Sequence, residues 1–245
     1  MIYSQGDEKM KIALFSDVHG NLQALQAVLK AIKEENVDNI ICLGDVIAIG
    51  PNSRECLDLI IDNNITLLLG NHELYYLYGA SNIEDSTISE NELKHQEHIK
   101  NQLTDKHYNF LKSCPINLII NYKNKHLLLS HFLLQDKSKI LPFYPLNILK
   151  EDYDYIIDEY NADYIFIGHK HMAFKEMINN TELIDIGSCG TRRNDTTSYY
   201  ILELKNGVTY EEKTINFDRE EFINTLNNSN YPDIDMIKRI FFGIK

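Results

Sequence analysis

Short apolar runs alternate along the chain with stretches in which leucine and isoleucine recur every three or four residues. Lys11 to Phe15 (KIALF) reads as a buried strand, and Leu22, Leu25, Leu29 and Ile32 share one face of a helix predicted over about Asn21 to Glu35. Asn39 to Leu43 (NIICL) is the second strand. Ser53 then fits a helix N-cap, with Glu55 and Asp58 following it and Leu57, Ile60 and Ile61 on the apolar side. Ile65 to Leu69 (ITLLL) is the third strand. This alternation predicts a parallel sheet with crossover helices.

From Gly79 to Asp105 the chain turns polar, and Ser89 to Glu92 resembles a capping box for a helical insertion over 79–105. That insertion carries His95 and His98, expected on a solvated face, as are His107 and His126. Ile116 to Tyr122 and His126 to Leu129 pair as strands across Lys123-Asn124-Lys125. Pro142-Phe143-Tyr144-Pro145 reads by default as a packed surface loop, with a lid or rim over the site as the alternative, and a helix is predicted from about Asn147 to Tyr160. Tyr164 to Ile167 is a strand. Met172 to Ile178 and Thr181 to Ile186 follow as strands around Asn179-Asn180. Thr197 to Leu204 and Val208 to Phe217 form a hairpin across Asn206-Gly207, and Asp218 to Phe242 reads as an amphipathic helix on the outer face. No repeat or low-complexity linker divides the chain, so 1–245 is expected to be a single domain with two sheets.

Bulk properties narrow the function classes. The 245 residues carry a formal charge of −12, which argues against general electrostatic binding of nucleic acid. At 44% hydrophobic the composition is that of a globular protein, with no apolar run long enough to span a bilayer. Cys42, Cys56, Cys114 and Cys189 are far apart and show no Cys-x-x-Cys spacing, which reads as reduced thiols in a cytoplasmic protein. Met1 to Lys9 is polar and lacks a secretory h-region. It reads as an upstream extension or an alternative start before Met10, outside the fold.

The chemistry gathers where strands end. The first strand delivers Asp17 and His19, with Gly20 in the turn; the second delivers Asp45, the third Asn71 and His72. His126 to Leu129 runs into Ser130-His131, and Tyr164 to Ile167 into Gly168-His169-Lys170-His171. In open α/β sheets ligands bind at this edge. Asp17, His19, Asp45, Asn71, His131, His169 and His171 make seven nitrogen and oxygen ligands, more than one ion takes from protein. Two ions sharing Asp45 account for all seven. The mixture suits divalent transition metals, manganese foremost, with iron, zinc, nickel or cobalt as alternatives. Two ions about 3.5 to 4 Å apart, bridged by a hydroxide, serve an in-line displacement at phosphorus, so the expected reaction is phosphoester hydrolysis.

In order, the motifs DxHGN, GD, GNHE, a lone His and GHxH resemble those of the calcineurin-like metallophosphoesterases, from Lys11 to Arg193. The resemblance implies an α/β fold, a four-layer αββα sandwich of two mixed β-sheets flanked by helices. It implies Asp17, His19, Asp45 and His171 on one ion, and Asp45, Asn71, His131 and His169 on the other. His72 would be the general acid or donor to the leaving oxygen. Family members that act on phosphoproteins or diadenosine tetraphosphate carry GDxxDRG; here Ala48 and Ile49 replace the acid and the arginine. The GSxGxxR loop from Gly187 to Arg193 is similar to the smaller bacterial and archaeal phosphodiesterase branch. A phosphodiesterase acting on a small phosphoester, a nucleotide among the candidates, is therefore expected, with Arg192 or Arg193 as a phosphate contact. A dinucleoside polyphosphatase, a phosphomonoesterase and a non-catalytic scaffold of the same fold are the alternatives. Tyr75, Tyr76 and Tyr78 have helical spacing and are expected to pack rather than to stack on a base.

Overall fold

The computed structural model describes residues 2–6, 9–82, 89–134 and 157–244. The first segment differs from expectation. β1 (Ile2–Gly6) is an edge strand, parallel to β5 (Asn117–Tyr122), with Ile2 opposite Ile119 and Gly6 opposite Tyr122. Its polar sequence hid this because its partner lies more than a hundred residues away.

β2 (Met10–Phe15), β3 (Asn39–Cys42) and β4 (Thr66–Leu67) are parallel neighbours, joined by α1 (Leu22–Glu34) and α2 (Ser53–Asp62). β4 is shorter than the apolar run Ile65 to Leu69. Asn21 caps α1 by accepting the Ala24 amide at 3.0 Å. For α2 the cap is Asn52, one residue before the Ser53 expected from sequence; the Ser53 hydroxyl accepts the Ala48 amide at 2.9 Å instead. α3 (Asn71–Tyr78), α4 (Glu90–Gln102) and α5 (Asp105–Ser113) follow, and Ser89 caps α4 through the Glu92 amide as its sequence predicts.

β6 (Lys125–Ser130) pairs antiparallel with β5 and parallel with β7 (Tyr164–Ile167). β8 (Phe174–Ile178) and β9 (Thr181–Asp185) complete that sheet in the order β1-β5-β6-β7-β9-β8. β10 (Thr196–Leu204) and β11 (Val208–Asn216) form a hairpin that extends the other sheet to β11-β10-β2-β3-β4. Both sheets are mixed. The tail is two helices, α6 (Arg219–Asn227) and α7 (Ile234–Phe241), where one was expected. The break holds Tyr231-Pro232, and a proline cannot donate to a helix ladder.

Alternation along β2 shows how the layers form. Ile12 and Leu14 point between the sheets, packing with Leu118, Leu129, Phe166 and Leu202. Ala13 and Phe15 point the other way, into a core with α1, α2 and the tail helices through Leu25, Ile60, Phe222 and Ile237. Burying each such side chain contributes about 1.5–3 kcal/mol. The outer face of the six-stranded sheet packs Ile165, Ile167 and Leu183 on Ile157, which opens a 3-10 turn over Ile157–Tyr160. The rest of the helix expected over 147–160, and the loop Pro142 to Pro145, lie outside the described residues.

Two expectations about histidines are corrected. His95 and His107 are buried, not solvated. His95 Nε2 reaches the Pro232 carbonyl at 3.2 Å, while His107 Nδ1 accepts the Thr104 amide at 3.0 Å and its Nε2 meets Asp58 Oδ1 at 3.1 Å. His126 is exposed as expected.

Candidate metal centre

Every ligand named from sequence arrives at one edge of the two sheets. Asp17 and His19 follow β2, Asp45 follows β3, Asn71 opens α3, His131 follows β6, and His169 and His171 follow β7. Five of these seven residues hold positive φ: Asp17 (55°), His19 (48°), Asp45 (53°), His169 (77°) and His171 (62°). Left-handed backbone costs a non-glycine residue on the order of 1–2 kcal/mol. The surrounding loops hold it in place. Asp17 N donates to Gly44 O at 3.0 Å, His19 N to Asp45 O at 2.9 Å, Gly190 N to Asp17 O at 2.9 Å and Gly168 N to His131 O at 3.0 Å. His169 N donates to Asp17 Oδ2 at 3.1 Å.

The side chains form two triads. In one, His19 Nε2 and His171 Nε2 are 2.9 Å apart and lie 3.6 and 3.3 Å from Asp17 Oδ1. In the other, His131 Nε2 lies 3.1 Å from Asp45 Oδ2, with His169 beside them and its Nδ1 2.9 Å from Asn71 Oδ1. Asp45 joins the two, since its Oδ2 is also 3.8 Å from His19 Nε2. His72 completes a third grouping with His19 and Asp45.

The charge state suits cations. Burial opposes ionisation of Asp17, but His131, His171 and His19 outweigh it and hold the carboxyl well below its usual range. Burial likewise opposes Asp45, and His131 and His72 reverse the direction. His19 is pushed down to about 4 and His169 to about 3, chiefly by burial, so both keep a lone pair at neutral pH. His131 is the exception: burial would lower it, yet Asp45 and Asp17 hold it up at about 9.

A hydrogen-bonded core would satisfy these groups, and here it does not. Neither ring nitrogen of the fully buried His131 has an aligned hydrogen bond. A buried imidazole with Nδ1 unbonded and Nε2 3.1 Å from a carboxylate but not aligned to bond it, among further nitrogen and oxygen donors, fits a metal ligand.

Two carboxylates missed by the sequence reading underpin the site. Glu73, fully buried, accepts the amides of Asp45 (2.8 Å), Val46 (2.8 Å), Ile47 (3.3 Å) and Gly70 (2.9 Å). It fastens the loop bearing Asp45 to the start of α3, while burial and the Asp45 charge raise it to about 7. The final letter of GNHE was the available signal, an acid three residues into a helix that begins at a glycine. Asp185, at the end of β9, accepts the Gly187 amide at 2.8 Å and is raised by burial to about 8.

Arg192 and Arg193 sit apart from the triads. The Arg192 guanidinium bonds Ser198 on β10, and Arg193 Nη2 donates to the Ile240 carbonyl at 3.3 Å. Tyr75 packs in the core with its ring 5.6 Å from that of His72, and Tyr78 is exposed. Ala48 and Ile49 are buried at φ 71° and 65°, with Ile49 N donating to the Tyr231 hydroxyl at 2.7 Å.

Comparison with known proteins supports the same reading. Residues 10–207 match the model of the calcineurin-like phosphoesterase superfamily domain. An uncharacterised protein of Methanocaldococcus jannaschii is 34% identical over 177 residues, 68% of this chain and 64% of that relative, so the match spans less than two thirds of the relative's length. A symmetrical bis(5'-nucleosyl)-tetraphosphatase of Baumannia cicadellinicola is 34% identical over 71 residues, 28% of this chain and 25% of that protein. A metallophosphoesterase from Sphaerobacter thermophilus shares the fold, with a TM-score of 0.74 at 21% identity over 97% of this chain and 100% of that one.

Proposed function

The chain belongs to the calcineurin-like phosphoesterase superfamily, and we propose that within it the protein is a cytoplasmic phosphodiesterase that works with two divalent ions, manganese foremost. The observation that carries this reading is the pair of donor triads joined by Asp45. Asp17, His19, Asp45 and His171 would hold one ion; Asp45, Asn71, His131 and His169 would hold the other. When bound, the ions would neutralise charge developing on the phosphoryl oxygens and make water a nucleophile at neutral pH.

The chain's own groups supply orientation and a proton. Water oxygen joins phosphorus as the bond from phosphorus to the leaving oxygen breaks, and the leaving oxygen needs a proton. His72 can provide it. Its ring groups with His19 and Asp45 and lines the cavity beside the triads, and the proton given up is replaced by one from the water. Because this histidine lies in the first turn of α3, backbone amides and the helix dipole add a favourable field for an anion.

A diester carries one charge where a monoester carries up to two. Ile49, where the resemblance would place an arginine, offers no guanidinium for the second charge, which favours the diester. Arg192 and Arg193 enter as phosphate contacts if they leave Ser198 and Ile240. Unchanged kinetics in both Arg192→Ala and Arg193→Ala would remove them.

The test is hydrolysis of bis-p-nitrophenyl phosphate, p-nitrophenyl phosphate and diadenosine tetraphosphate by chelator-stripped protein reloaded with manganese. Metal-dependent turnover with the diester preferred supports the reading. Preference for the monoester or the tetraphosphate would assign a phosphatase or a dinucleoside polyphosphatase.

A further inference from the structure

A cavity of about 390 Å³ opens beside the triads, with Asn71 and His72 in its lining. Its size falls in the range of small-ligand sites, roughly 300–1,000 Å³. The rest of the lining comes from parts of the chain that contribute no candidate metal ligand. Ile49 supplies one side, Tyr75 another, and α7 contributes Ile237, Ile240 and Phe241. α4 adds Glu92 and His95. Among the described residues no lysine or arginine lines it.

Resting on the phosphodiesterase reading, we infer that this cavity receives the substituent on the leaving oxygen, and that the substituent is a flat, uncharged ring bearing an N–H edge, as a nucleobase does. Position argues for the leaving side: a leaving oxygen protonated by His72 would carry its substituent directly into the space above that histidine. Wall chemistry argues for an uncharged ring. Isoleucine and aromatic side chains gain from covering apolar ring faces. A polyphosphate chain would meet no cation there and would face the Glu92 carboxylate.

Glu92 gives the pocket its polar direction. Its Oε1 accepts from Gln96 Nε2 at 2.6 Å, while its second oxygen, Oε2, lies 3.9 Å from His95 Nδ1, beyond hydrogen-bond reach. A carboxylate oxygen on the cavity wall, with Ile49, Ile237 and Ile240 also in the lining, selects for a donor, such as a ring N–H or an exocyclic amine. His95 is held from behind by the Pro232 carbonyl, which ties α4 to the segment before α7. The insertion and the tail therefore meet to close a pocket that neither forms alone.

The experiment is calorimetric binding to the metal-free chain, which needs neither ions nor turnover. The probes are guanosine, caffeine (a flat purine with no N–H or O–H donor) and glycerol, with Ile240→Trp and Glu92→Gln as variants. Ile240 is 49% exposed, so the larger ring can fill the cavity mouth without disturbing the core. Expected are binding of guanosine at least tenfold tighter than glycerol, a loss of at least tenfold in Ile240→Trp, and a weakening in Glu92→Gln for guanosine but not for caffeine. Guanosine binding no tighter than glycerol, or unchanged in Ile240→Trp, would overturn the ring subsite. Caffeine binding as tightly as guanosine would overturn the donor edge assigned to Glu92. Nucleoside binding without diester turnover would refute the phosphodiesterase reading and leave the ring subsite standing; turnover without nucleoside binding would do the reverse.

Discussion

The backbone amide of His72 donates to Asp45 Oδ1 at 3.0 Å, so the residue assigned as proton donor is placed by the carboxylate assigned as bridge. Asp45 uses its other oxygen toward His131 and His19. One side chain thus fixes the two triads and the first turn of α3 together.

That bond runs through the backbone, which separates two roles by mutation. In His72→Ala the amide remains and the ligand cluster should persist. Metal content is expected to stay at the wild-type value while kcat falls by about 10²–10⁴, the usual range for a lost general acid. Loss of metal together with activity would make His72 a ligand instead.

Glu73→Gln keeps shape but turns one acceptor oxygen into an amide donor that faces backbone N–H groups. Stranding such a donor costs about 1–3 kcal/mol. A lower melting temperature is expected, with weaker metal uptake because the Asp45 loop loses its anchor. An unchanged melting temperature would show that the four amides do not depend on this carboxylate.

Gly168 lies so close to the Asp17 loop that an added Cβ would run into Ser16 Oγ and Asp17 Oδ2. Gly168→Ala should therefore displace a ligand while leaving the sheets paired. Near-native circular dichroism with reduced metal uptake is the expected result. Full uptake would show that the GHxH turn yields easily.

Far from the site, Asp163 accepts from Lys125 Nζ at 2.6 Å and from the His126 amide at 2.9 Å. Burial opposes ionisation, yet Lys125 and His126 hold its pKa below the ordinary value. A carboxyl depressed in the fold adds stability above its unfolded pKa, about 3.9, and loses it as pH falls through the folded value. The melting-temperature deficit of Asp163→Asn should thus be present at neutral pH and shrink below about pH 4. A deficit of constant size across that interval would exclude this ionisation as its source.

The candidate ligands were legible because each stands just after an apolar strand, so position and chemistry appear in the same few letters. His169 and His171 after YIFI are the clearest instance. What joins distant segments was not legible. His95 looked solvated because its carbonyl partner, Pro232, is 137 residues away, and β1 looked like an extension because it pairs with β5. The cavity over His72 needs Ile49, α4 and α7 at once, and no local pattern encodes that meeting. Glu73 was in plain view within GNHE, but its four partners are backbone amides, which a side-chain pattern does not display.

Counting manganese ions by mass spectrometry in wild-type and Asp45→Asn protein, after chelation and reloading and beside bis-p-nitrophenyl phosphate turnover, tests the shared carboxylate most directly. The two-triad arrangement predicts two ions per wild-type chain, at most one in Asp45→Asn, and loss of turnover in that variant. A single ion in the wild type, or two ions and undiminished turnover in Asp45→Asn, would contradict it.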